Sequence, residues 1–230
     1  MSKLIWDAEG TRYFETGTKN GVLYPYKADG SGYDAGVAWN GLTAVTESPS
    51  GAEASDIWAD NMKYATLRSA ETFGGTIEAY TYPDEFAVCD GSAVIASGVT
   101  VGQQARRKFG LSYRTEVGND VNPELGYKLH LVWGCTASPS EKSYATINDS
   151  PEAITFSWEF DTTPVSVKGY KPIATMTIDS TDLDTAGQTA LTTLEGILYG
   201  TDAGDGQTAS DPRMPSPAEV IALFDPSYNG

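Results

Sequence analysis

Ile154-Thr155-Phe156-Ser157-Trp158-Glu159-Phe160 places four large apolar side chains on alternate residues, with polar ones between them. Side chains of an extended chain point alternately to opposite faces, so this spacing predicts an antiparallel strand with one face buried. Tyr127 to Trp133 repeats the pattern: Tyr127, Leu129, Leu131 and Trp133 share one face, and Lys128, His130 and Val132 the other. The connection from Cys135 to Pro151 is polar and contains Ser and Pro, which predicts two neighbouring strands joined by a long hairpin loop.

Outward from this pair, Lys63 to Arg68 and Thr76 to Tyr82 read as paired strands turning at Gly74 and Gly75. Arg106 to Thr115 and Ile173 to Ile178 also have β character. Helices are announced by their caps. Ser216 to Glu219 is a capping box with proline at the first helical position, ahead of Val220, Ile221, Leu223 and Phe224. Leu191, Leu194 and Leu198 have helical spacing before Gly200, a C-cap residue, and Pro83 to Cys89 opens with Pro83, Asp84 and Glu85 as a short helix would. Short strands, 24 glycines and 12 prolines predict a mainly β fold, an antiparallel sandwich or barrel with one to three short helices. Lys27 to Asp60, rich in Gly, Ser, Ala and Asp, reads as an extended arm or long hairpin. We find no repeat or linker that divides residues 1–230 into two domains.

At 230 residues and 11% aromatic content, the chain can bury a core of its own. Met1 to Asp7 turns polar too soon for a signal peptide, and no stretch approaches the roughly 20 apolar residues of a membrane span, so a cytoplasmic life is expected. Cys89 and Cys135, 46 positions apart, fit neither a zinc pair nor a disulfide scaffold and read as buried thiols. The net charge of −16 argues against a phosphate-gripping surface, because nucleic-acid affinity rests on Lys and Arg displacing counterions. Half of that charge lies in Ile178 to Gly230, an acidic C-terminal extension with nine acids against Arg213. Arg106, Arg107, Lys108 and Arg114 form the one basic island. Two solvated faces would explain this asymmetry, as would complementary patches on neighbouring subunits.

Catalytic chemistry finds little support. The single histidine, His130, stands mid-strand on the polar face and reads as a surface or interface residue, and no serine lies in a nucleophile elbow. Phosphate-cradling glycine motifs are absent from the sequence. Asp29, Ser31 and Asp34, Asp179, Asp182 and Asp184, and Asp202 with Asp205 are oxygen-rich, but none follows a calcium-loop spacing, and turns and caps account for them. Asn148, Asp149 and Ser150 form a glycosylation sequon, which has meaning only in a secreted chain. Tyr64, Tyr80 and Tyr82 read as cross-strand or inter-subunit contacts rather than a sugar-stacking row. No catalytic, cofactor-binding or metal-ligating residue is assigned, no cofactor is expected, and the chain reads as a structural protein.

Trp58-Ala59-Asp60-Asn61, the Lys63 to Tyr82 segment and Pro83-Asp84-Glu85-Phe86 together resemble the phi13-type major tail proteins, the tail tube subunits of long, non-contractile-tailed bacteriophages. So does Leu131 to Pro139 followed by the Ile154 to Phe160 strand; the likeness spans Glu53 to Val167. The first 50 residues and the acidic region after Ile178 depart from that pattern. The resemblance implies a β-sandwich virion protein that closes into hexameric rings stacked as a hollow tube. Its partners would be further copies, a tape-measure protein, tail-tip initiator proteins and a tail terminator, with double-stranded DNA passing an acidic lumen unbound and no membrane contact. The rival readings are a carbohydrate- or receptor-binding sandwich, a glycosidase with a deep cleft and a carboxylate of raised pKa, and the tube protein of a contractile or secretion system.

Overall fold

The computed structural model describes residues 3–147, 149, 153–204 and 208–229. Asn148 and Ser150 of the sequon, Asp205 of one acidic cluster, and Met1, Pro151 and Gly230 at the limits of expected segments lie outside them. The protein is mainly β. In chain order the strands are β1 (Tyr13–Pro25), β2 (Val37–Ala38), β3 (Leu42–Glu47), β4 (Ser50–Gly51), β5 (Ala54–Ala59), β6 (Met62–Arg68), β7 (Glu71–Thr72) and β8 (Gly74–Ala79). After a 3₁₀ turn at Asp84–Val88 come β9 (Ala93–Ala96), β10 (Val99–Val101), β11 (Phe109–Asn119), β12 (Gly126–Ala137), β13 (Phe156–Thr162) and β14 (Thr175–Asp179). Helices α1 (Thr185–Tyr199) and α2 (Pro217–Phe224) follow.

One antiparallel sheet runs β2-β1-β11-β12-β13-β8-β3, with β14 added on β12. It folds into a sandwich because β12 belongs to both layers. Lys128 to Val132 pair with β14, whereas Cys135 to Ala137 pair with β13. Between them the register with β11 slips, and Gly134 takes a φ of +65° at the bulge. The extra residue reverses the alternation, so that Trp133 faces one core and Cys135 the other. The expected β12–β13 neighbours are thus present, although they meet only at one end and Ile154 precedes the strand.

Two cores result. Between the layers, Trp158 packs with Trp39, Tyr82, Phe86 and Phe156, ring centroids 5.0–5.9 Å apart, all joined to Leu23, Phe109 and Phe160. On the outer face of β1-β11-β12-β14, Leu129, Leu131 and Trp133 meet Leu191, Leu194 and Leu198 of α1 and Val220 of α2. A strand covered on both sides loses the polar alternation of a surface strand, and Gly21 to Pro25 of β1 are buried without a break. Ser216 caps α2 by accepting from Glu219 N at 3.2 Å, and Gly200 closes α1, as the sequence predicts; Asp184 caps the start of α1 by accepting from Gly187 N at 2.7 Å. Cys89 and Cys135 are buried free thiols, and burial pushes the Cys89 thiol up to about 12. Among the described residues, no helix is long and apolar enough to cross a membrane.

Three expectations about the strands change. Lys63 to Arg68 does not pair with Thr76 to Tyr82: β6 pairs with β5, while β8 lies between β13 and β3. Gly74 and Gly75 are not a turn but buried positions of β8; a Cβ on Gly75 would lie 2.4 Å from Thr46 O and 2.9 Å from the Phe160 ring. Lys27 to Asp60 is not one arm, since Trp39 is core and β3 pairs with β8 as the edge strand of the main sheet. The acidic C-terminal region carries the two expected helices, which pack on the sheet as a third layer.

Candidate assembly surfaces

The projecting element is the β5–β6 hairpin, and its shape follows from its sequence. Asp60 and Asn61 hold φ of 51° and 60°, the paired left-handed conformation of a tight two-residue hairpin turn, which Asp and Asn tolerate better than most residues. Its base is closed by Ser50 and Gly51 pairing with Thr72 and Glu71, where the Ser50 and Thr72 hydroxyls are 2.9 Å apart. The register slips between Ile57 and Trp58, leaving Tyr64 as the extra residue of β6. Ile57, Met62, Ala65 and Leu67 therefore share one face, while Asp56, Trp58, Lys63 and Thr66 share the other, with the unpaired Tyr64 at the bulge between them. On that second face Asp56 accepts from Lys63 at 2.7 Å and Thr66 at 2.9 Å, and these hydrogen bonds hold its carboxyl below the ordinary range. The first, apolar face has no cover: Ile57, Met62 and Leu67 are 41%, 62% and 58% exposed. A second short hairpin, β9–β10, also leaves Val94, Ile95 and Val99 exposed.

Beneath the root of the arm, a polar network joins five strands. His130 is buried, not a surface residue as its neighbours on β12 suggest. Its Nε2 is 2.9 Å from the Thr115 hydroxyl and 3.7 Å from Glu15; its Nδ1 is 3.4 Å from Thr177 and 3.5 Å from Glu47. Glu47 ends β3, just before the chain leaves for the arm, and it also accepts a 2.6 Å hydrogen bond from the Tyr113 hydroxyl. Hydrogen bonding with His130 holds the Glu47 carboxyl below its usual value against the opposing effect of partial burial, and Tyr113 adds to it. For Glu15, burial would raise the value, but hydrogen bonds from Lys128 and Thr115 together outweigh it. Burial pushes the Tyr113 hydroxyl up, aided by Glu47. Carboxylates biased toward ionisation are poor general acids, so this cluster is built to hold strands rather than to deliver a proton.

The other sequence candidates are dispersed. Arg114 is not part of a basic island: its guanidinium is 2.6 Å from Glu195 and 3.1 Å from the Tyr199 hydroxyl and lies over the Tyr127 ring at 4.3 Å, clamping α1 to the sheet. Tyr64, Tyr80 and Tyr82 do not form a row, because Tyr64 is on the arm, Tyr80 is exposed beside β8, and Tyr82 packs against Phe86, Phe156 and Trp158. Asp29 accepts from Ser31 N, Asp179 from Thr181 N and Oγ1, and Asp225 from Ser227, which makes these acids turn formers. Among the described residues, no group of three or more His, Cys, Asp or Glu is placed to hold a metal ion.

The missed signals were local. Asp60-Asn61 between two alternating runs marks a hairpin, and the apolar positions of β5 and β6 reveal its uncovered face only once the bulge is placed. No protein-family model matches the chain, and no curated protein matches it.

Proposed function

We propose that this chain is a structural subunit that self-assembles into stacked, hexameric rings, the hollow tail tube of a long-tailed bacteriophage through which the genome leaves. The observation that carries this reading is the β5–β6 hairpin, an ordered element whose apolar face is covered by nothing in its own subunit. Such a face costs solubility unless a partner buries it, and exposed strand edges with apolar faces otherwise invite uncontrolled pairing. The frame is suited to transmit that contact, because Glu47 at the arm's root is tied to β11 and β12. With a net charge of −16, the chain would repel a passing DNA duplex rather than grip it.

The glycosidase reading draws less from the same residues. A glycosidase would need a carboxylic acid of raised pKa; among the described residues, each carboxylate with a resolved shift is lowered.

Negative-stain electron microscopy and light scattering over a concentration and salt series test the proposal. Rings or tubes with a central channel are expected, either spontaneously or after addition of a tail-tip complex. A chain that stays monomeric under both conditions would overturn it.

A further inference from the structure

The long strands of this molecule run between two unlike ends. At the Tyr13, Asn119 and Gly126 ends lie Asp7, Glu9, Asp120 and Glu124, with Asp179 closing β14 and Asp182 just after it, against two bases, Lys3 and Arg12. At the Pro25 and Phe109 ends lie Lys27, Arg107 and Lys108. Asp29 and Asp34 share this second end, and the Asp29 carboxylate is already engaged by Ser31.

Each end also carries an apolar feature that the fold does not use. At the acidic end, Gly10 N donates to Asp120 at 3.1 Å, Gly10 O accepts from Asn119 Nδ2 at 3.0 Å, and Arg12 donates to Asp7 O at 2.8 Å. This turn presents Leu4, Ile5 and Trp6, which are 72%, 80% and 75% exposed. At the basic end is a groove of about 630 Å³ lined by Tyr26, Tyr33, Trp133, Pro164, Val165 and Met214, with Lys108 at its rim. Its size falls within the ~300–1,000 Å³ of sites that enclose a ligand.

We propose that Leu4 to Asp7 of one copy seats in the Tyr26–Tyr33–Trp133 groove of a second copy, apolar residues inside and Asp7 and Glu9 facing Arg107 and Lys108. This deepens the self-assembly reading and rests on it. Distance selects the occupant. From Lys108 to Asp120 is twelve residues of extended chain, about 40 Å at ~3.3 Å per residue. From the anchored Gly10 to Leu4 is six residues, at most about 20 Å. The segment therefore falls short of its own groove, and only another molecule can bring the two together. A plug and a socket at opposite ends of one subunit form a head-to-tail contact, the kind that propagates along an axis rather than closing as a dimer. The opposite charges set the polarity of stacking and make growth weaken as salt screens them.

A photo-crosslinking residue in place of Trp6, in an equal mixture of isotopically light and heavy chains, reads the contact directly by mass spectrometry. Mixed-isotope crosslinks to the peptides carrying Pro164, Val165 or Met214 are expected. Ile5→Ser with Trp6→Ser should keep the thermal midpoint while raising the concentration needed for axial growth by roughly tenfold or more, as losing a central apolar anchor does. Asp7→Lys with Glu9→Lys, and Arg107→Glu with Lys108→Glu, should each fail to grow alone and grow when mixed. Tubes whose position-6 crosslinks land elsewhere would sink this contact and leave the tube reading standing. Open filaments crosslinked at the groove would do the reverse. Absence of crosslinks at millimolar protein would overturn the inference.

Discussion

Tyr113 lies flat against His130, the rings 2° from parallel with centroids 4.6 Å apart, and both reach Glu47 at the end of β3. One carboxylate thus links the two sheet layers where the arm begins. A carboxyl held below its unfolded value of 4.5 binds fewer protons folded than unfolded. Its stabilisation is present above pH 4.5 and is lost as pH falls through the lower folded value. Thermal unfolding should show the midpoint falling on acidification below about pH 4.5, with Glu47→Gln flattening that dependence. Tyr113→Phe, which leaves the ring stack intact, should cost about 1–2 kcal/mol at neutral pH through the lost hydrogen bond.

Gly134 marks the corner where β12 changes layers. Its φ of +65° disfavours a side chain, and a Cβ there would stand 2.4 Å from the Thr163 carbonyl oxygen. Gly134→Ala should therefore cost about 1–3 kcal/mol, the range for a strained backbone position, read as a lower denaturant midpoint. Gly10→Ala, with a similar φ of +83° but no atom within 4 Å of its added Cβ, isolates the conformational share of that loss.

These two positions also explain what the sequence disclosed and what it withheld. Phe156, Trp158 and Phe160 alternate because β13 has one buried face, and that pattern is legible by eye. In β12 the covered faces differ along the strand, so Lys128 and His130 suggest solvent although Glu15, Glu47 and Thr177 surround the histidine. Strand β1 was hidden for a related reason. Gly17, Asn20 and Gly21 look like a turn, yet Gly17 and Asn20 sit at two bulges of a 13-residue strand whose Tyr24 hydroxyl donates to Leu198 O in α1 at 2.8 Å. Caps, by contrast, act through adjacent residues, and Gly200 and Ser216 were readable for that reason. The arm's uncovered face depends on pairing and on what lies outside the chain, and composition encodes neither.

The Arg114–Glu195 contact holds α1 on the sheet with side-chain exposures of 14% and 23%. The Tyr127 hydroxyl donates to the same carboxylate, and burial first, then Glu195, pushes it up to about 12. Glu195→Ala leaves Arg114 without its counter-charge between two tyrosine rings. A loss of about 2–3 kcal/mol is expected, below the 3–5 kcal/mol of fully buried pairs because water still reaches the site. Hydrogen exchange should rise first in α1, the layer this pair secures, and an unchanged α1 profile would show that the leucine seam alone holds the helix.

The arm should be separable from the frame that bears it. Ser69 N donates to Glu53 O at 3.4 Å, so the two chains are already adjacent below β5 and β6. Replacing Ala54–Arg68 with Asn-Gly closes a two-residue turn at that point without disturbing β4, β7 or the sheet. None of the removed large apolar side chains is buried, so stability should change by only about 0.5 kcal/mol. Assembly should change completely: electron microscopy should find folded subunits but no tubes. A milder test is Ile57→Ser with Leu67→Ser, which keeps the hairpin and wets its apolar face. It should raise the concentration required for assembly while leaving circular dichroism and the unfolding midpoint where they were. Normal tubes from both variants would place the assembly contact elsewhere, and the uncovered face would then need a different partner.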